Sequence, residues 1–216
     1  SFSASAWIKI AQNNNGGSIM ARMDDQHDFR GWDVWIEGNK LASHIINKWP
    51  DNALKVNTRD AMSANQWHHV CITYGGKASP DSLKLYIDGV LKETDVQANA
   101  LKSTIKTTVP FKIGQRHSSA AMDGTAIQDV RVYSRELSGT EVADVATGTR
   151  STWLATKGIA KLSAGEKDEL FGWWLNGQDE TYRGLSTKMA ALNSEISGIR
   201  SRGTSAYVMH ERSEEA

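Results

Sequence analysis

The sequence has a single cysteine, no net charge and no long apolar run, and each of these features excludes a kind of structure or a class of partner. One cysteine, Cys71, allows no internal disulfide. The 25 basic and 25 acidic residues cancel and form no basic stripe, so the usual signature of nucleic-acid or anionic-membrane binding is missing. No apolar run is long enough to span a membrane. No signal peptide is evident either, since Ser1 and Phe2 already open a strand-like pattern.

Common catalytic and cofactor motifs are also missing. The sequence contains no GxSxG, no P-loop and no GxGxxG between a strand and a helix. It contains no CxxCH, so no c-type haem attaches covalently to this chain. What is present is an ordinary apolar share of 39%, enough for a sizeable core, and eight tryptophans, which either fill cores or present flat stacking surfaces.

The stretch from Trp67 to Thr94 predicts consecutive antiparallel strands. The segment Trp67–Tyr74 has no plainly polar face, as expected of a central strand that is covered on both sides. Leu83–Ile87 alternates apolar and polar residues, which is typical of a strand with one buried face. Asp88-Gly89 is a strong hairpin signal, because a type I′ turn needs positive φ at both central positions. Val90–Val96 is the predicted returning strand.

Short strands with turns between them are predicted through the first 133 residues. Besides the central hairpins, they cover residues 2–10, 18–23, 32–37, 40–47, 53–56, 111–114 and 126–133, with a tight turn at Gly38-Asn39. Many short strands at close spacing are typical of a β-sandwich. The sequence therefore predicts an all-β fold, a two-sheet antiparallel β-sandwich jelly roll, with a C-terminal α-helical appendage.

Capping boxes mark the helices that follow the strands. The S-x-x-E pattern at residues 138–141 predicts a short helix to about Ala146. The same pattern at residues 163–166 predicts a second helix, which ends at Asn176-Gly177. We therefore predict a jelly-roll domain over residues 1–147 and a helical linker, part of a following domain, over residues 148–216.

A third predicted helix, over residues 179–202, carries a narrow apolar seam. Its apolar residues recur in alternating steps of three and four, which is the a/d spacing of a coiled coil. The members of the seam are Tyr182, Leu185, Met189, Leu192, Ile196 and Ile199. The preceding helix can cover only part of this seam, so the sequence predicts packing on a neighbouring domain or chain. The tail at 213–216 is predicted to be solvated.

Segments distributed along the chain carry a family resemblance. FSASAWIK, WHHVCITYGG, LKLYIDG, FKIGQR and MDGTAIQDVRVYSRELSGTEVADV together resemble a laminin G-like, concanavalin A-like jelly-roll domain over about residues 1–147. Met122 stands where an aromatic residue is usual, and Gln128-Asp129 stands where an acidic pair is usual. The usual first strand is missing, so we expect a chain that is cut at its start.

Segments from the middle and the C-terminal part of the chain make the resemblance more specific. FRGWDVWIEGNKLASHIINKWPDNALKV, AGEKDELFGWWL and a helix ending in YVMHE are similar to the laminin G-like insert and helical linker of large planctomycete secreted proteins that also carry c-type cytochrome domains. The resemblance implies export, and hence an extracytoplasmic location, periplasmic or secreted. It also implies that the partners are neighbouring domains or chains of a multidomain protein.

Alternation places Asp33, Trp35 and Glu37 on one face of a predicted strand. Two carboxylates on one strand suggest a glycosidase pair, but four strand residues span about 13 Å. Retaining glycosidases need about 5.5 Å between carboxyl groups and inverting ones at most about 9.5 Å. The spacing favours a solvated or ligand-facing polar face, and catalysis is the alternative.

Exposed tryptophan beside polar side chains is the arrangement that binds sugars. A pyranose ring stacks on an indole while polar groups hold its hydroxyls. The alternative is that the tryptophans fill the core and the arginines pair with carboxylates. The carbohydrate-site candidates are Arg22, Arg30, Trp35, Glu37, Trp49 and Arg116.

Three aspartates, Asp24, Asp25 and Asp28, cluster in one predicted loop. Oxygen-rich loops bind Ca²⁺, and jelly rolls of the resembled family often carry a calcium ion. The loop lacks EF-hand spacing, so a solvated acidic turn is the alternative.

These observations favour a non-catalytic binding or docking module of a larger exported protein. In one version the module binds a polysaccharide through its concave face or its edge loops. In the other it is a structural module whose long helix docks neighbouring domains or chains of a cytochrome-containing assembly. A glycoside hydrolase of concanavalin A-like fold is the enzyme alternative.

Overall fold

The computed structural model describes residues 1–202, apart from the side chains of residues 176, 177, 190, 194, 197 and 200–202. The chain forms two compact units, which divide between Thr156 and Lys157. The predicted solvated tail and the YVMHE segment at 207–211 lie outside the described residues. Within the described part of the chain, no helix is both long and apolar enough to cross a membrane.

The first unit is a sandwich of two antiparallel sheets, as predicted. Its strands are β1 Phe2–Lys9, β2 Gly17–Asp24, β3 Arg30–Glu37, β4 Lys40–Lys48, β5 Asn52–Thr58, β6 Trp67–Tyr74, β7 Leu83–Ile87, β8 Val90–Leu91, β9 Thr94–Asn99, β10 Lys112–Ile113 and β11 Ala126–Tyr133. One sheet has five strands in the order β11-β1-β6-β7-β8. The other has six strands in the order β10-β2-β3-β4-β5-β9.

The core lies between the two sheets and is built by the period-two alternation of the strands. Ile8 and Ile72 of the five-stranded sheet and Ile36 and Leu54 of the six-stranded sheet are fully buried in it. Burying one such side chain stabilises the fold by about 1.5–3 kcal/mol. The outer faces of both sheets are consequently left for other contacts.

The predicted tight turns are confirmed, but one strand is corrected. Asp88 and Gly89 have φ of 54° and 78°, and Gly38 and Asn39 have φ of 57° and 61°, as type I′ hairpins require. The strand predicted over residues 90–96 is not continuous. β8 ends at Leu91, and β9 pairs with β5 in the other sheet. By crossing over, the chain covers the backbone edge that β5 would otherwise expose.

A helix covers part of the outer face of the five-stranded sheet. This helix, α1, spans Gly139–Lys157 and packs Val142 against Cys71 of the central strand. From His69 to Tyr74, strand β6 is therefore covered on both sides, as its sequence predicted. Burial raises the pKa of the Cys71 thiol to about 12, which makes this residue a small buried hydrophobe.

The end of α1 corrects the sequence prediction. The Ser138–Glu141 capping box is present, but the helix continues well beyond Ala146 and passes the predicted boundary after residue 147. No proline interrupts this stretch, and Leu154 near its end is fully buried. Burial of Leu154 stabilises the extension in a way that local sequence signals do not report.

The second unit contains two helices, α2 Ala164–Gln178 and α3 Glu180–Arg202. The Ser163–Glu166 capping box opens α2 as predicted. Asn176-Gly177 does not end α2, which runs on to Gln178. Asp179 then separates the helices and caps α3, since its carboxylate accepts a hydrogen bond of 2.7 Å from the backbone N–H of Tyr182. The six seam residues are each 39–62% exposed.

Candidate functional site

Strand β3 presents Asp33, Trp35 and Glu37 on the outer face of the six-stranded sheet, as alternation predicted. Their environments differ strongly. Asp33 is fully buried, Trp35 is half-buried and Glu37 is exposed. The expectation of a solvated polar face is therefore wrong for Asp33, whose carboxylate is covered by other side chains of this face.

The Asp33 carboxylate is held by Arg116 and His44. Arg116 donates to Oδ2 from Nε at 2.8 Å and from Nη2 at 2.6 Å. Nδ1 of His44 lies 2.8 Å from Oδ1, and the backbone N–H of His44 donates to the same oxygen at 3.1 Å. Since an ionised carboxylate only accepts hydrogen bonds, Nδ1 of His44 carries a proton and donates.

These partners keep Asp33 ionised in spite of its burial. Burial by itself raises the pKa of this carboxyl group, but the attraction and hydrogen bonds of His44 and Arg116 outweigh that cost and hold the pKa below its usual value. Asp33 is thus the anionic anchor of the site, and its oxygens are not available to a ligand.

Arg116 comes from the loop that follows β10 and is sandwiched by aromatic rings. Its guanidinium carbon lies 4.2 Å from the ring centroid of Trp35 and 5.4 Å from that of Phe29. Cation–π contacts of this kind contribute roughly 0.5–2 kcal/mol each. Only 8% of Arg116 is exposed, so it organises the site more than it reaches into solvent.

The loop that carries Arg116 is braced by Asp25. The carboxylate of Asp25 accepts hydrogen bonds from the backbone N–H of Ser118 at 3.0 Å and from its hydroxyl at 2.8 Å, and the hydroxyl of Ser119 donates to it as well. Desolvation raises the pKa of Asp25, but these serine hydrogen bonds outweigh it and lower the pKa. The loop between β2 and β3 thereby fixes the position of Arg116.

The rim of the site combines an indole with an ion pair. Trp49, in the turn after β4, is 37% exposed and packs edge-on against His44, with ring centroids 5.8 Å apart. The ammonium group of Lys55 donates to Glu37 at 2.7 Å. A depression of about 200 Å³ opens between these groups and is named the β3–β5 pocket. It is lined by Phe29, Trp35, Glu37, His44, Ile46, Trp49, Lys55 and Arg116.

The structure brings together four of the six carbohydrate candidates. Trp35, Glu37, Trp49 and Arg116 all line the β3–β5 pocket. The other two candidates lie elsewhere and contact backbone.

Arg22 donates to the carbonyl oxygens of Val109 and Thr107, and so holds the segment before β10 against the sheet. Arg30 donates to the carbonyl oxygen of Asn47. These contacts link segments of the chain that are distant in sequence.

The tryptophans do not fill the core. None of the eight tryptophans, all of which are described, is fully buried, and only Trp32 packs against the main core. Core filling by tryptophan is therefore the wrong interpretation. The second part of that alternative, the pairing of arginines with carboxylates, holds for Arg116 and Asp33.

The three loop aspartates each contact a different partner. Asp25 bonds to the two serines, Asp24 contacts the ring of His27 at 3.0 Å, and the backbone carbonyl of Asp28 accepts a hydrogen bond from Trp49. In residues 1–202 no three His, Cys, Asp or Glu side chains are grouped as metal ligands. Calcium at this loop stays a prediction.

Sequence analysis missed His44, Lys55 and Phe29. A signal for His44 existed, because the two-residue turn at Gly38-Asn39 fixes the register that places Asp33 opposite His44. Lys55 then lies opposite His44 on β5. No local pattern pointed to Phe29, which reaches the site from an irregular loop.

A family model described as the concanavalin A-like lectin/glucanases superfamily, Laminin_G_3, matches residues 1–143. No curated protein sequence matches the chain. Among solved structures, the CBM40 of the Ruminococcus gnavus IT-sialidase has a TM-score of 0.52 at 17% identity, over 67% of this chain and 82% of that one. The same CBM40 bound to α2,3-sialyllactose has a TM-score of 0.51 at 18% identity over the same shares.

The receptor-binding domain of botulinum neurotoxin type G has a TM-score of 0.47 at 20% identity, over 68% of this chain. This chain spans only 38% of the length of that domain. The likeness to the two CBM40 structures, at 17% and 18% identity, shows a shared fold.

Proposed function

The chain belongs to the concanavalin A-like lectin/glucanases superfamily, and from this premise we propose that its jelly roll is a non-catalytic carbohydrate-binding module. The observation that carries the proposal is the β3–β5 pocket. There the exposed indole of Trp49 lies beside the hydrogen-bonding pair Glu37 and Lys55. An indole face with adjacent donors and acceptors is complementary to one face and the hydroxyls of a pyranose.

Size and charge narrow the ligand class. The pocket volume of about 200 Å³ is below the ~300–1,000 Å³ of sites for drug-sized molecules, which favours a single sugar residue. The charges of Glu37 and Lys55 cancel, and so do those of Asp33 and Arg116. The pocket therefore favours a neutral pyranose, bound as one residue of a longer polysaccharide.

The same geometry opposes a glycosidase on this face. A catalytic carboxyl group must reach the substrate, and the Asp33 carboxylate is fully buried beneath Arg116 and His44. Glu37 would be left without a second carboxylate in the pair that the hydrolase alternative requires. These features support binding without hydrolysis.

A glycan array of neutral and sialylated saccharides, probed with and without calcium, tests the proposal. We expect binding to at least one neutral saccharide, and weaker binding in Trp49→Ala. Trp174→Ala removes a comparably exposed tryptophan, 45% exposed, outside the pocket and serves as the matched control. Absence of binding to every saccharide would refute the proposal, and so would equal binding by the two variants.

A docking function of α3 is the second candidate, because its six-residue seam is exposed. We propose that a helix of a neighbouring domain or chain packs on this seam in a larger exported, extracytoplasmic protein. An a/d seam of three heptads provides the apolar surface that one partner helix covers.

A further inference from the structure

A cleft lined by three tryptophans lies on the outer face of the five-stranded sheet, between that sheet and α1. Its volume is about 540 Å³, within the ~300–1,000 Å³ usual for small-molecule sites. We name it the tryptophan cleft. Its lining includes Trp7, Trp67, Gln128, Asp129, Arg150 and Trp153. None of these residues contributes to the β3–β5 pocket, which lies on the other sheet.

The sheet side of the cleft follows from strand register. Trp7 on β1 lies opposite His69 on β6, and Trp67 is two residues before His69 on the same face. Diagonal neighbours of this kind are about 7–8 Å apart, within reach of aromatic side chains. The ring of His69 packs edge-on against Trp7 with centroids 5.6 Å apart, which holds that indole in place.

The helix side is positioned by a bulge. Pairing between β1 and β11 shifts after Ser5, and Asp129 adopts a φ of 52°. Its carboxylate accepts hydrogen bonds from Arg131 at 2.8 and 3.0 Å and from the hydroxyl of Thr149. This network ties β11 to α1. Trp153 is one helical turn beyond Thr149, and so lies on the same helix face.

The indoles present exposed apolar surface to the cleft. Trp67 is 41% exposed and Trp153 is 50% exposed, a costly arrangement for large apolar side chains unless a ligand covers them. The amide of Gln128 and the guanidinium of Arg150 add polar groups, and Arg150 lies over the Trp153 ring at 5.6 Å. Asp129 and Arg150 bring opposite charges to the lining.

From this combination we infer that the tryptophan cleft is a second saccharide-binding site, for a neutral sugar. A purely apolar ligand would cover the Gln128 amide without offering it a hydrogen bond, and an anion would meet the Asp129 carboxylate. Hydroxyl groups both donate and accept, so a neutral sugar offers the Gln128 amide a hydrogen bond while its ring stacks on indole. Because the two sites are on opposite outer faces of the sandwich, one module engages two separate saccharide chains.

The test is a titration of the full chain, labelled with ¹⁵N at its tryptophan indoles, with the methyl glycosides of glucose, galactose, mannose and N-acetylglucosamine. We expect at least one glycoside to shift the indole N–H resonances of Trp67 and Trp153 in a saturable way. Trp153→Ala and, separately, Trp67→Ala should each weaken this binding about tenfold or more, whereas Trp49→Ala and the control Trp174→Ala should leave it unchanged.

The outcomes separate the two sites. Saturable shifts confined to Trp35 and Trp49 would overturn the second site and leave the β3–β5 pocket intact. Shifts confined to Trp67 and Trp153 would support the second site and count against the first. Linear shifts without saturation, or none with any of the four glycosides, would overturn the inference.

Discussion

Arg116 reaches across 83 residues of sequence to donate two hydrogen bonds to one oxygen of the buried Asp33 carboxylate. The contact joins an irregular loop to the middle of the six-stranded sheet. It also holds the guanidinium against Trp35 and so forms the floor of the β3–β5 pocket. A buried pair of this kind matters most when one partner is removed, because the other is then left as an uncompensated charge.

We therefore expect Asp33→Asn to lower the free energy of unfolding by about 3–5 kcal/mol, since the Arg116 guanidinium would lose its counter-charge in a buried site. Urea unfolding followed by far-ultraviolet circular dichroism measures the change. The double variant Asp33→Leu with Arg116→Met removes both charges, and should recover most of the lost stability. A single variant as stable as the wild type would show that the pair is dispensable.

Asp25→Ala should free the loop that carries Arg116, because its hydrogen bonds to Ser118 and Ser119 would be lost. The expected cost is about 1–3 kcal/mol, with weaker glycan binding at the β3–β5 pocket. Thermal unfolding with and without calcium is the measurement, and Asp24→Ala, whose carboxylate contacts the exposed ring of His27, is the control. Calcium stabilisation of the wild type that disappears in Asp25→Ala would instead support the calcium interpretation of this loop.

Acid should destabilise the sandwich through His69. Burial lowers the pKa of His69 to about 4, against the opposing attraction of Asp88 and Asp129, while Arg131 lowers it further. The unfolded chain takes up its proton near pH 6.5, so stability is complete above that value and falls as the pH drops towards 4. The free energy of unfolding falls by roughly 3 kcal/mol through this residue. The pKa of His69 changes from 6.5 in the unfolded chain to about 4 in the folded protein, and each pKa unit corresponds to about 1.36 kcal/mol.

Urea unfolding at a series of pH values between 7.5 and 4 measures the His69 effect. In His69→Gln the slope of stability against pH should flatten over this range. His27→Gln, whose side chain is 80% exposed, should keep the wild-type slope. Equal slopes in the two variants would mean that another group controls the acid response.

Leu192→Asp should disrupt the packing proposed for the α3 seam without unfolding the sandwich. The seam residue is 58% exposed and belongs to the second unit, so its replacement removes contact surface for a partner and leaves the core of the first unit intact. Light scattering after size exclusion reports the assembly, and Asn193→Asp, one residue off the seam, adds the same charge as a control. Loss of β structure in Leu192→Asp would place the helix in the core of the sandwich.

Most strands were predictable because each half-buried strand alternates apolar and polar residues whatever its neighbours are. The strand Ala126–Tyr133 and the turn at Asp88-Gly89 match the sequence prediction for this reason. The crossover after Leu91 was not predictable, since Val90 and Leu91 carry no signal of which sheet they join. The length of α1 was missed likewise, because burial of Leu154 supports its last turns.

Candidate residues were chosen from the sequence by chemical type, and the structure decided which of them meet. Trp35 and Arg116 are 81 positions apart and stack at 4.2 Å, a contact that no spacing rule reports. Asp33 and Glu37 share a strand face, yet one is buried and the other is exposed, because the Arg116 loop covers only the first.

The sequence by itself determined the sandwich, its tight turns and the helices with their caps, since these depend on periodicity and on local backbone conformation. Only the tertiary structure decided that Asp33 is an anchor and that tryptophan lines two separate pockets. Those properties depend on burial and on contacts between distant loops and sheet faces, which are set by the packing of the whole first unit.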